Sequence, residues 1–180
     1  MLKLSCWHLA NFHYSKTTKN SKAFFSQDKV KINKIKIDNY TVRDQKQVIN
    51  VVGKVLAEYG FQLDPQIDAD LLEIEKHYIK FLVIRDRNKV VGCAGVKKLT
   101  DEIVEFKRMY ILPEYRGKGL GKKLIEVRLE CCRSENFKKV VLDTTTRNTK
   151  AIKLFKMFGF QETKREGEKI FFEKDLTLSA

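Results

Sequence analysis

The sequence lacks an apolar stretch long enough to cross a bilayer, and it lacks the residue spacings of common metal sites. Its apolar runs extend over only a few residues, far short of the roughly 20 that a transmembrane helix needs. Its four cysteines and three histidines show neither a C-x-x-C motif nor the spacing of metal ligands. The sequence therefore predicts a cytoplasmic protein with reduced thiols, without a metal ion and without a membrane partner.

Acidic residues are scarce in the first 36 residues, which hold eight lysines and only Asp28 as an acid. Residues 1–36 therefore carry +7 of the formal net charge of +13. Their composition predicts a disordered basic extension, with an organelle transit peptide or a nucleic-acid-binding arm as alternatives. No basic stripe interleaved with aromatic residues follows, which argues against nucleic acid as a partner. Residues 37–180 have the length of a single domain.

Glycine is sparse as well, yet three of the nine glycines lie in one short turn. Gly117, Gly119 and Gly121 follow an apolar segment and precede an amphipathic one. Basic side chains alternate with them: Arg116, Lys118 and Lys122. Such glycines permit a tight turn and leave backbone N–H groups free for an oxyanion, and the first turn of a following helix adds further donors. The segment predicts a binding site for a diphosphate.

The spacing of these glycines excludes two common phosphate sites. A P-loop has four residues between its first glycine and a Gly-Lys-Ser/Thr ending, and neither Ser nor Thr follows Gly121-Lys122. A dinucleotide-binding turn has the pattern G-x-G-x-x-G, whereas these glycines recur at every second position. The pattern that remains is Arg-Gly-x-Gly-x-Gly.

This pattern resembles the coenzyme A diphosphate loop of the GCN5-related N-acetyltransferase (GNAT) superfamily, whose signature is Gln/Arg-x-x-Gly-x-Gly/Ala. Three further segments are similar to motifs of that superfamily and occur in the same order. Residues 90–95 resemble its central hairpin strand, and residues 105–110 resemble the strand that leads to the loop. Residues 148–155, followed by Gly159-Phe160, resemble its Asn-x-x-Ala-x-x-Leu-Tyr pattern. The resemblance covers about residues 42–175 and implies an acetyl-CoA-dependent N-acetyltransferase.

The resemblance also implies roles for individual residues. Glu105 takes the place of the general base, which acts directly or through water, and Tyr110 is the second candidate catalytic residue. Backbone N–H groups around Tyr110 and Ile111 would form the oxyanion site and pair with pantetheine like an added strand. The residues expected to bind the coenzyme are Met109, Tyr110, Ile111, Arg116, Gly117, Lys118, Gly119, Leu120, Gly121, Lys122, Asn148 and Phe155.

Three of these assignments leave alternatives open. Glu105 could instead be an exposed strand carboxylate that pairs with Lys107, and Asn148 could be a helix N-cap. Phe155 stands where the superfamily commonly has a tyrosine that protonates the leaving thiolate, and a phenyl ring has no proton to give. Because general-acid help is worth about 10² to 10⁴ in rate, Phe155 predicts slower turnover or a substitute donor such as Tyr110, Tyr115 or water. The alternative function is a coenzyme-binding module with little or no catalysis.

The residues between Val55 and Glu75 include no Lys or Arg in a chain that is otherwise basic. The six acids of this segment are Glu58, Asp64, Asp68, Asp70, Glu73 and Glu75. In the resembling superfamily this region covers the acceptor side of the site. One hypothesis is therefore an acidic mouth that attracts a cationic amine, either a small molecule or a peptide. The alternative is that the aspartates cap and solvate a helix. A monomer and a homodimer are both compatible with the sequence.

Hydrophobic periodicity predicts an α/β fold, with a mixed central sheet of six to seven strands and helices on both faces. Helices are expected at 44–58, 68–78, 119–135 and 148–158, and the apolar face of the third would hold Leu120, Leu124, Val127 and Cys131. Strands are expected at 35–42, 79–85, 89–97, 103–112, 139–144, 160–164 and 168–174.

Overall fold

The computed structural model describes residues 35–177 as a seven-stranded mixed sheet flanked by helices. The strands are β1 (Ile35–Asn39), β2 (Lys80–Asp86), β3 (Lys89–Lys98), β4 (Ile103–Ile111), β5 (Lys139–Thr145), β6 (Gln161–Glu166) and β7 (Lys169–Asp175). The helices are α1 (Gln45–Ala57), α2 (Ile74–His77), α3 (Leu120–Ser134) and α4 (Thr149–Met157). The strand order is β1-β2-β3-β4-β5-β7-β6, and only the β4–β5 pair is parallel. The predicted fold class is confirmed.

The predicted N-terminal extension lies almost entirely outside the described residues. Strand β1 begins at Ile35, two residues before the predicted domain boundary at 37. Within residues 35–177 no helix is long and apolar enough to cross a membrane. The prediction of reduced thiols is correct for the buried Cys93 and Cys132, whereas Cys131 is disulfide-bonded, so the prediction is wrong there.

Helix α1 forms because valines recur at helical spacing and supply one apolar face. Val48, Val51 and Val52 are fully buried in the core between α1 and the sheet. The residue before the helix, Asp44, does not cap α1 through its side chain. Its carboxylate instead accepts hydrogen bonds from Thr41 and is gripped by Arg85 at 2.6 and 2.7 Å. Asp44 therefore ties the start of α1 to β2.

The two faces of β4 carry different neighbours. Phe106 and Val96, which lie opposite each other on β4 and β3, are buried in a cluster with α3 and α4. Gly95 lies opposite Lys107 on the other face, where an added Cβ would come within 2.6 Å of the Tyr78 ring. Helices α3 and α4 therefore pack on one face, and the segment that ends at Tyr78 packs on the other.

The buried face of α3 differs from the predicted one. Its buried residues are Leu124, Ile125, Arg128, Leu129, Cys131 and Cys132. Leu120 and Val127, expected on the apolar face, are only half-buried. The face is shifted because residues 125, 128, 129 and 132 follow the i, i+3, i+4, i+7 spacing that the sheet covers. As a result, Arg128 is fully buried.

The predicted helix at 68–78 is wrong over most of its length. The structure has a 3-10 turn at Ala69–Leu71 and a single helical turn at Ile74–His77. Glu73 between them has a non-helical backbone, with φ −135° and ψ 51°. Asp68 and Asp70 direct their carboxylates toward Arg108 on β4, and these ion pairs override local helix propensity.

Candidate active site

Strands β4 and β5 run side by side over three residues only. The pairs extend from Ile103 with Lys139 to Glu105 with Val141. Beyond this point β4 continues to Ile111 beside β3 alone, whereas β5 continues to Thr145 beside β7. The two strands therefore diverge and leave a gap, which is closed at Glu105 and opens toward the glycine loop. An extended ligand could pair with the β4 edge in this gap.

The register decides which peptide groups of β4 face the gap. The N–H of Leu112 donates to the carbonyl of Val91 on β3 at 2.9 Å, one position beyond the paired residues Gly92 and Ile111. Because alternate residues of an antiparallel strand face the same neighbour, the peptide groups of Tyr110 also face β3. Those of Ile111 face the gap. The geometry thus favours Ile111 over Tyr110 as a backbone donor to a bound ligand.

The glycine loop presents an open surface at the mouth of the gap. Gly117 and Gly119 have left-handed backbones, with φ 74° and 78°, which favour glycine. A Cβ at either position would meet no atom within 4 Å. The first intrahelical bond of α3 runs from the N–H of Lys123 to the carbonyl of Gly119 at 3.1 Å. The preceding N–H groups of Leu120, Gly121 and Lys122 have no acceptor within the helix and can bind an anion.

The three basic side chains of the loop are not equivalent. Arg116 donates to the carbonyl of Ile111 at 2.7 Å and makes two hydrogen bonds to Glu58 at 2.7 and 2.8 Å. Lys118 folds back onto the carbonyl of Glu114 at 2.8 Å and lies over the Tyr115 ring. Lys122 is exposed and has no ion pair with any residue of 35–177. Lys122 is therefore the basic side chain most available to a phosphate.

Glu105 and Tyr110 lie at opposite ends of the gap. Glu105 is at the closed end, where its carboxylate is 18% exposed and lies 3.8 Å from the Lys107 ammonium. Five residues of extended strand, about 16 Å, separate it from Tyr110. Burial raises the pKa of the Tyr110 hydroxyl, and the nearby Arg108 guanidinium opposes that rise. Tyr110 therefore stays protonated at neutral pH, and the structure does not bring the two predicted catalytic side chains together.

Helix α4 and its N-cap residue supply two further predicted ligands. The Asn148 carboxamide accepts a hydrogen bond from the N–H of Ala151 at 3.2 Å, so its role as an N-cap is confirmed. Phe155 is buried, and its ring packs edge-on against Phe160 at a centroid distance of 5.8 Å. In this structure Phe155 is a core residue. Its neighbour Leu154 would lie 3.2 Å from a Cβ on Gly121, which places the start of α3 against α4.

Arg108 holds the segment between Val55 and Glu75 against β4, a role that the sequence did not reveal. Arg108 and Met109 both lie opposite Ala94, so β4 has a bulge at this point. Arg108 has a left-handed backbone with φ 56°. Its guanidinium donates to Asp68 at 2.6 Å and, through Nε, to Asp70 at 2.9 Å. All three side chains are nearly buried. Two of the six acids between Val55 and Glu75, and the single Arg of β4, were the only signal of this contact in the sequence.

Most of the six acids in that segment bind cations of the protein itself. Glu58 pairs with Arg116, Asp68 and Asp70 pair with Arg108, and Glu73 pairs with Lys76. Asp64 accepts backbone N–H groups from Gln66 and Ile67. Among the residues that the structure describes, Asp64 and Glu75 are exposed and have no basic partner. This arrangement supports the structural alternative for most of the acids.

Exposed apolar side chains gather on the same segment. Ile67 is 76% exposed and Leu72 is 59% exposed, and Phe61 and Ile79 are also exposed. The carbonyl of Ile67 accepts a hydrogen bond from Arg108, which places this residue beside β4. The segment that Arg108 holds beside β4 is therefore apolar as well as acidic.

Together these features can bind an extended ligand that bears a diphosphate at one end. Its diphosphate would meet the loop and the start of α3, its chain would lie along β4, and its other end would reach Glu105. A carboxylate there can accept a proton from an amine. No group of carboxylates, histidines and cysteines suited to a metal ion occurs within residues 35–177.

A sequence model of the acetyltransferase (GNAT) family matches residues 50–160. The chain is 35% identical over 131 residues to the uncharacterized N-acetyltransferase YjgM of Escherichia coli K12. This match covers 67% of the chain and 78% of that protein. It is 30% identical over 111 residues to human N-acetyltransferase 8B. That match covers 56% of the chain and spans about half (49%) of the human protein.

Solved structures are similar to the whole described region. An acetyltransferase from Streptococcus agalactiae superposes with a TM-score of 0.74 at 21% identity, covering 80% of the chain and 99% of that structure. The structure of yncA from Salmonella typhimurium, solved with its cofactor acetyl-CoA, gives a TM-score of 0.66 at 20% identity. It covers 80% of the chain and 95% of that structure. At these identities the likeness concerns the fold.

Proposed function

The chain belongs to the acetyltransferase (GNAT) family and is an acetyl-CoA-dependent N-acetyltransferase, and from this premise we propose how its residues divide the reaction. The glycine loop at 117–121 and the first turn of α3 bind the diphosphate of the coenzyme. The edge of β4 that faces the gap, chiefly the N–H of Ile111, pairs with the pantetheine arm, because the Ile111 carbonyl already accepts a hydrogen bond from Arg116. Glu105 at the closed end accepts the proton of the amine. The observation that carries this proposal is the divergence of β4 from β5, with the open glycine loop at its mouth.

The transfer moves an acetyl group from sulfur to nitrogen. The ammonium group of the acceptor first loses one proton to solvent, and the neutral nitrogen then attacks the thioester carbonyl carbon. The carbon–sulfur bond breaks, and its electron pair leaves with sulfur. The amine proton goes to Glu105, directly or through one water, because an acylated ammonium is a poor product near neutral pH. Loss of this base is expected to lower the rate by about 10² to 10⁴.

The base is tested by a pair of carboxylate variants. Release of the CoA thiol is followed across a panel of primary amines for the wild type, Glu105→Gln and Glu102→Gln. Glu102 is an exposed acid that pairs with Lys138, so its variant controls for the loss of a charge. A rate that falls in Glu105→Gln alone, with unchanged affinity for CoA, supports the assignment. Equal rates in the wild type and Glu105→Gln would reject it.

For the acceptor we propose a primary amine that is cationic when free and carries an apolar body. Asp64 and Glu75, which have no basic partner within residues 35–177, would attract the ammonium group. Ile67 and Leu72, which are widely exposed on the same segment, would cover the apolar body. The panel should therefore favour aralkyl amines and peptides with apolar N-terminal residues over polyamines.

A second pair of variants tests this acceptor. Asp64→Asn combined with Glu75→Gln should raise KM for a cationic amine at low salt, and Ile67→Ser should raise KM for apolar amines only. Glu73→Gln removes an acid that already pairs with Lys76 and serves as the control. An unchanged KM in all three would discard the acceptor proposal and leave the base untouched.

The buried Phe155 favours one further outcome, a protein that binds CoA but turns over poorly. Retained CoA binding without thiol release for any amine of the panel would support that function.

A further inference from the structure

Arg128 is a buried cation that the reaction scheme above does not use. It lies in the middle of α3 and is fully buried. Its nitrogen atoms donate to the carbonyls of Leu124 at 3.2 Å and Gly95 at 3.3 Å, and to the Met109 sulfur at 2.9 Å. No carboxylate among residues 35–177 forms an ion pair with it. Burial lowers the pKa of its guanidinium to about 9, so it remains mostly charged near neutral pH.

An unpaired charge in this position destabilises the folded state, so stability does not explain its presence. A buried ion that lacks a counter-ion costs more than a well-packed apolar side chain of similar volume. The surroundings of Arg128 on the sheet side are the Phe106 ring, 4.0 Å from the guanidinium carbon, and the Met109 thioether. The titratable groups that face it are the thiols of Cys93 on β3 and Cys132 on α3. Burial raises the pKa of both thiols to about 12, so they are neutral.

The position of Arg128 relative to the gap follows from the elements that carry it. Helix α3 returns along β4, and nine residues from Gly119 to Arg128 rise about 14 Å. Five residues of β4 from Ile111 back to Phe106 span about 16 Å. Arg128 therefore lies beneath the stretch from Phe106 to Met109, as its contacts with both residues show. This stretch is next to the closed end of the gap.

That end is where the proposed function places the thioester. The diphosphate lies at the start of α3, and an extended arm along β4 brings its sulfur toward Glu105 and the Phe106–Met109 stretch. Sulfur is neutral in the thioester and negative once the carbon–sulfur bond has broken. Phe155 cannot neutralise the new charge with a proton. A fixed cation beside the gap stabilises charge that develops only as the bond breaks.

We propose that Arg128 stabilises the departing CoA thiolate and thereby replaces the missing proton donor at Phe155. The electron pair of the broken bond stays on sulfur, and the CoA leaves as a thiolate that takes a proton from solvent. Arg128 stabilises the thiolate electrostatically from beneath the Phe106–Met109 stretch. It does not contact the coenzyme directly and is therefore a positioning residue. The inference depends on the proposed coenzyme site.

The experiment measures the acidity of the CoA thiol when it is bound. CoA binding to the wild type is first established by calorimetry, and the thiol is then titrated by the ultraviolet absorbance of the thiolate, free and bound. An opposite charge within about 4–6 Å lowers a pKa by about one unit or more. We expect a lowering of about one unit in the wild type, a return to the free value in Arg128→Met, and an intermediate value in Arg128→Lys. Arg133→Met, an exposed residue of the same helix, should behave as the wild type.

Each result bears on the inference separately. A thiol that titrates equally when free and when bound to the wild type overturns it, whether or not Arg128→Met folds. A shift that persists in a folded Arg128→Met overturns it as well. A lowered pKa that is lost in Arg128→Met, with about tenfold slower turnover and with unchanged affinity for a CoA analogue that lacks sulfur, supports it. Failure of the wild type to bind CoA at all would reject the coenzyme site itself and the inference with it.

Discussion

Replacing Gly119 by alanine separates backbone strain from ligand binding. Gly119 has φ 78°, and its added methyl group would meet no atom within 4 Å, so the fold is perturbed through the backbone alone. A residue with a Cβ in this left-handed conformation costs roughly 1–2 kcal/mol. In a protein of this size such a change lowers the melting temperature by about 2–8 °C.

Gly60 provides a matched control for this substitution. It has the same φ of 78°, and its Cβ would also meet nothing within 4 Å, but it follows α1 rather than preceding α3. Gly60→Ala and Gly119→Ala should therefore lower the melting temperature by similar amounts. Relief of the strain in Gly119→Ala would rotate the peptide groups that lead into α3, which are the proposed diphosphate donors.

The two variants should differ in coenzyme affinity. A hydrogen bond to a charged group contributes about 1.5–3 kcal/mol, so the loss of one such bond weakens binding at least tenfold. Calorimetry with CoA on both variants and the wild type measures this directly. If Gly119→Ala bound CoA as tightly as Gly60→Ala while both melted earlier, the loop would not be the diphosphate site.

Three further predictions follow from the charged side chains. Lys122→Gln should weaken CoA binding about fivefold at low salt, and the effect should decline as salt is added. The control is Lys123→Gln, whose lysine pairs with Glu126 and whose loss should leave CoA affinity unchanged. Equal losses of affinity in the two variants would indicate an effect of net charge instead of a contact. Arg108→Met should lower the free energy of unfolding by about 3–5 kcal/mol, because Asp68 and Asp70 would be left buried without a cation. Denaturant titration measures this, and a midpoint that moved no more than in Lys76→Met would contradict the stabilising role of these ion pairs. Although burial acts to raise it, the hydrogen bonds from Arg108 and Tyr78 hold the pKa of Asp70 below its usual value, and those from Arg85 and Thr41 do the same for Asp44. These carboxylates therefore stabilise the fold above their unfolded pKa of about 4, and that stability is lost as pH falls through the lower folded values; a urea midpoint independent of pH between about 5 and 2 would refute it.

Local patterns were sufficient for much of the fold and for the glycine turn that precedes α3. The valines of α1 and the alternation along β4 encode the elements directly, because burial requires those periods. The helix expected at 68–78 failed because long-range ion pairs to Arg108 redirect Asp68 and Asp70. The availability of Arg116 and Lys118 could not be predicted either, since their partners are Glu58, far away in sequence, and a backbone carbonyl.

The burial of Arg128 could not be predicted from the sequence either, although its place on α3 could. Its spacing from Leu124 and Ile125 places it in the apolar stripe of α3, a signal that was present in the sequence. An arginine in such a stripe usually extends its charge to the surface. Only the packing of α3 against β3 and β4 shows that this one does not.

The three-residue contact between β4 and β5 has a mechanical consequence. The sheet consists of two parts, β1–β4 and β5–β7, whose strands pair with each other only from Ile103 to Glu105. A coenzyme that pairs with β4 would bridge the part of the gap where β4 and β5 do not pair. Bound coenzyme would thereby stabilise the folded state. Amide protons of the β4 and β5 strands should then exchange more slowly in the loaded enzyme.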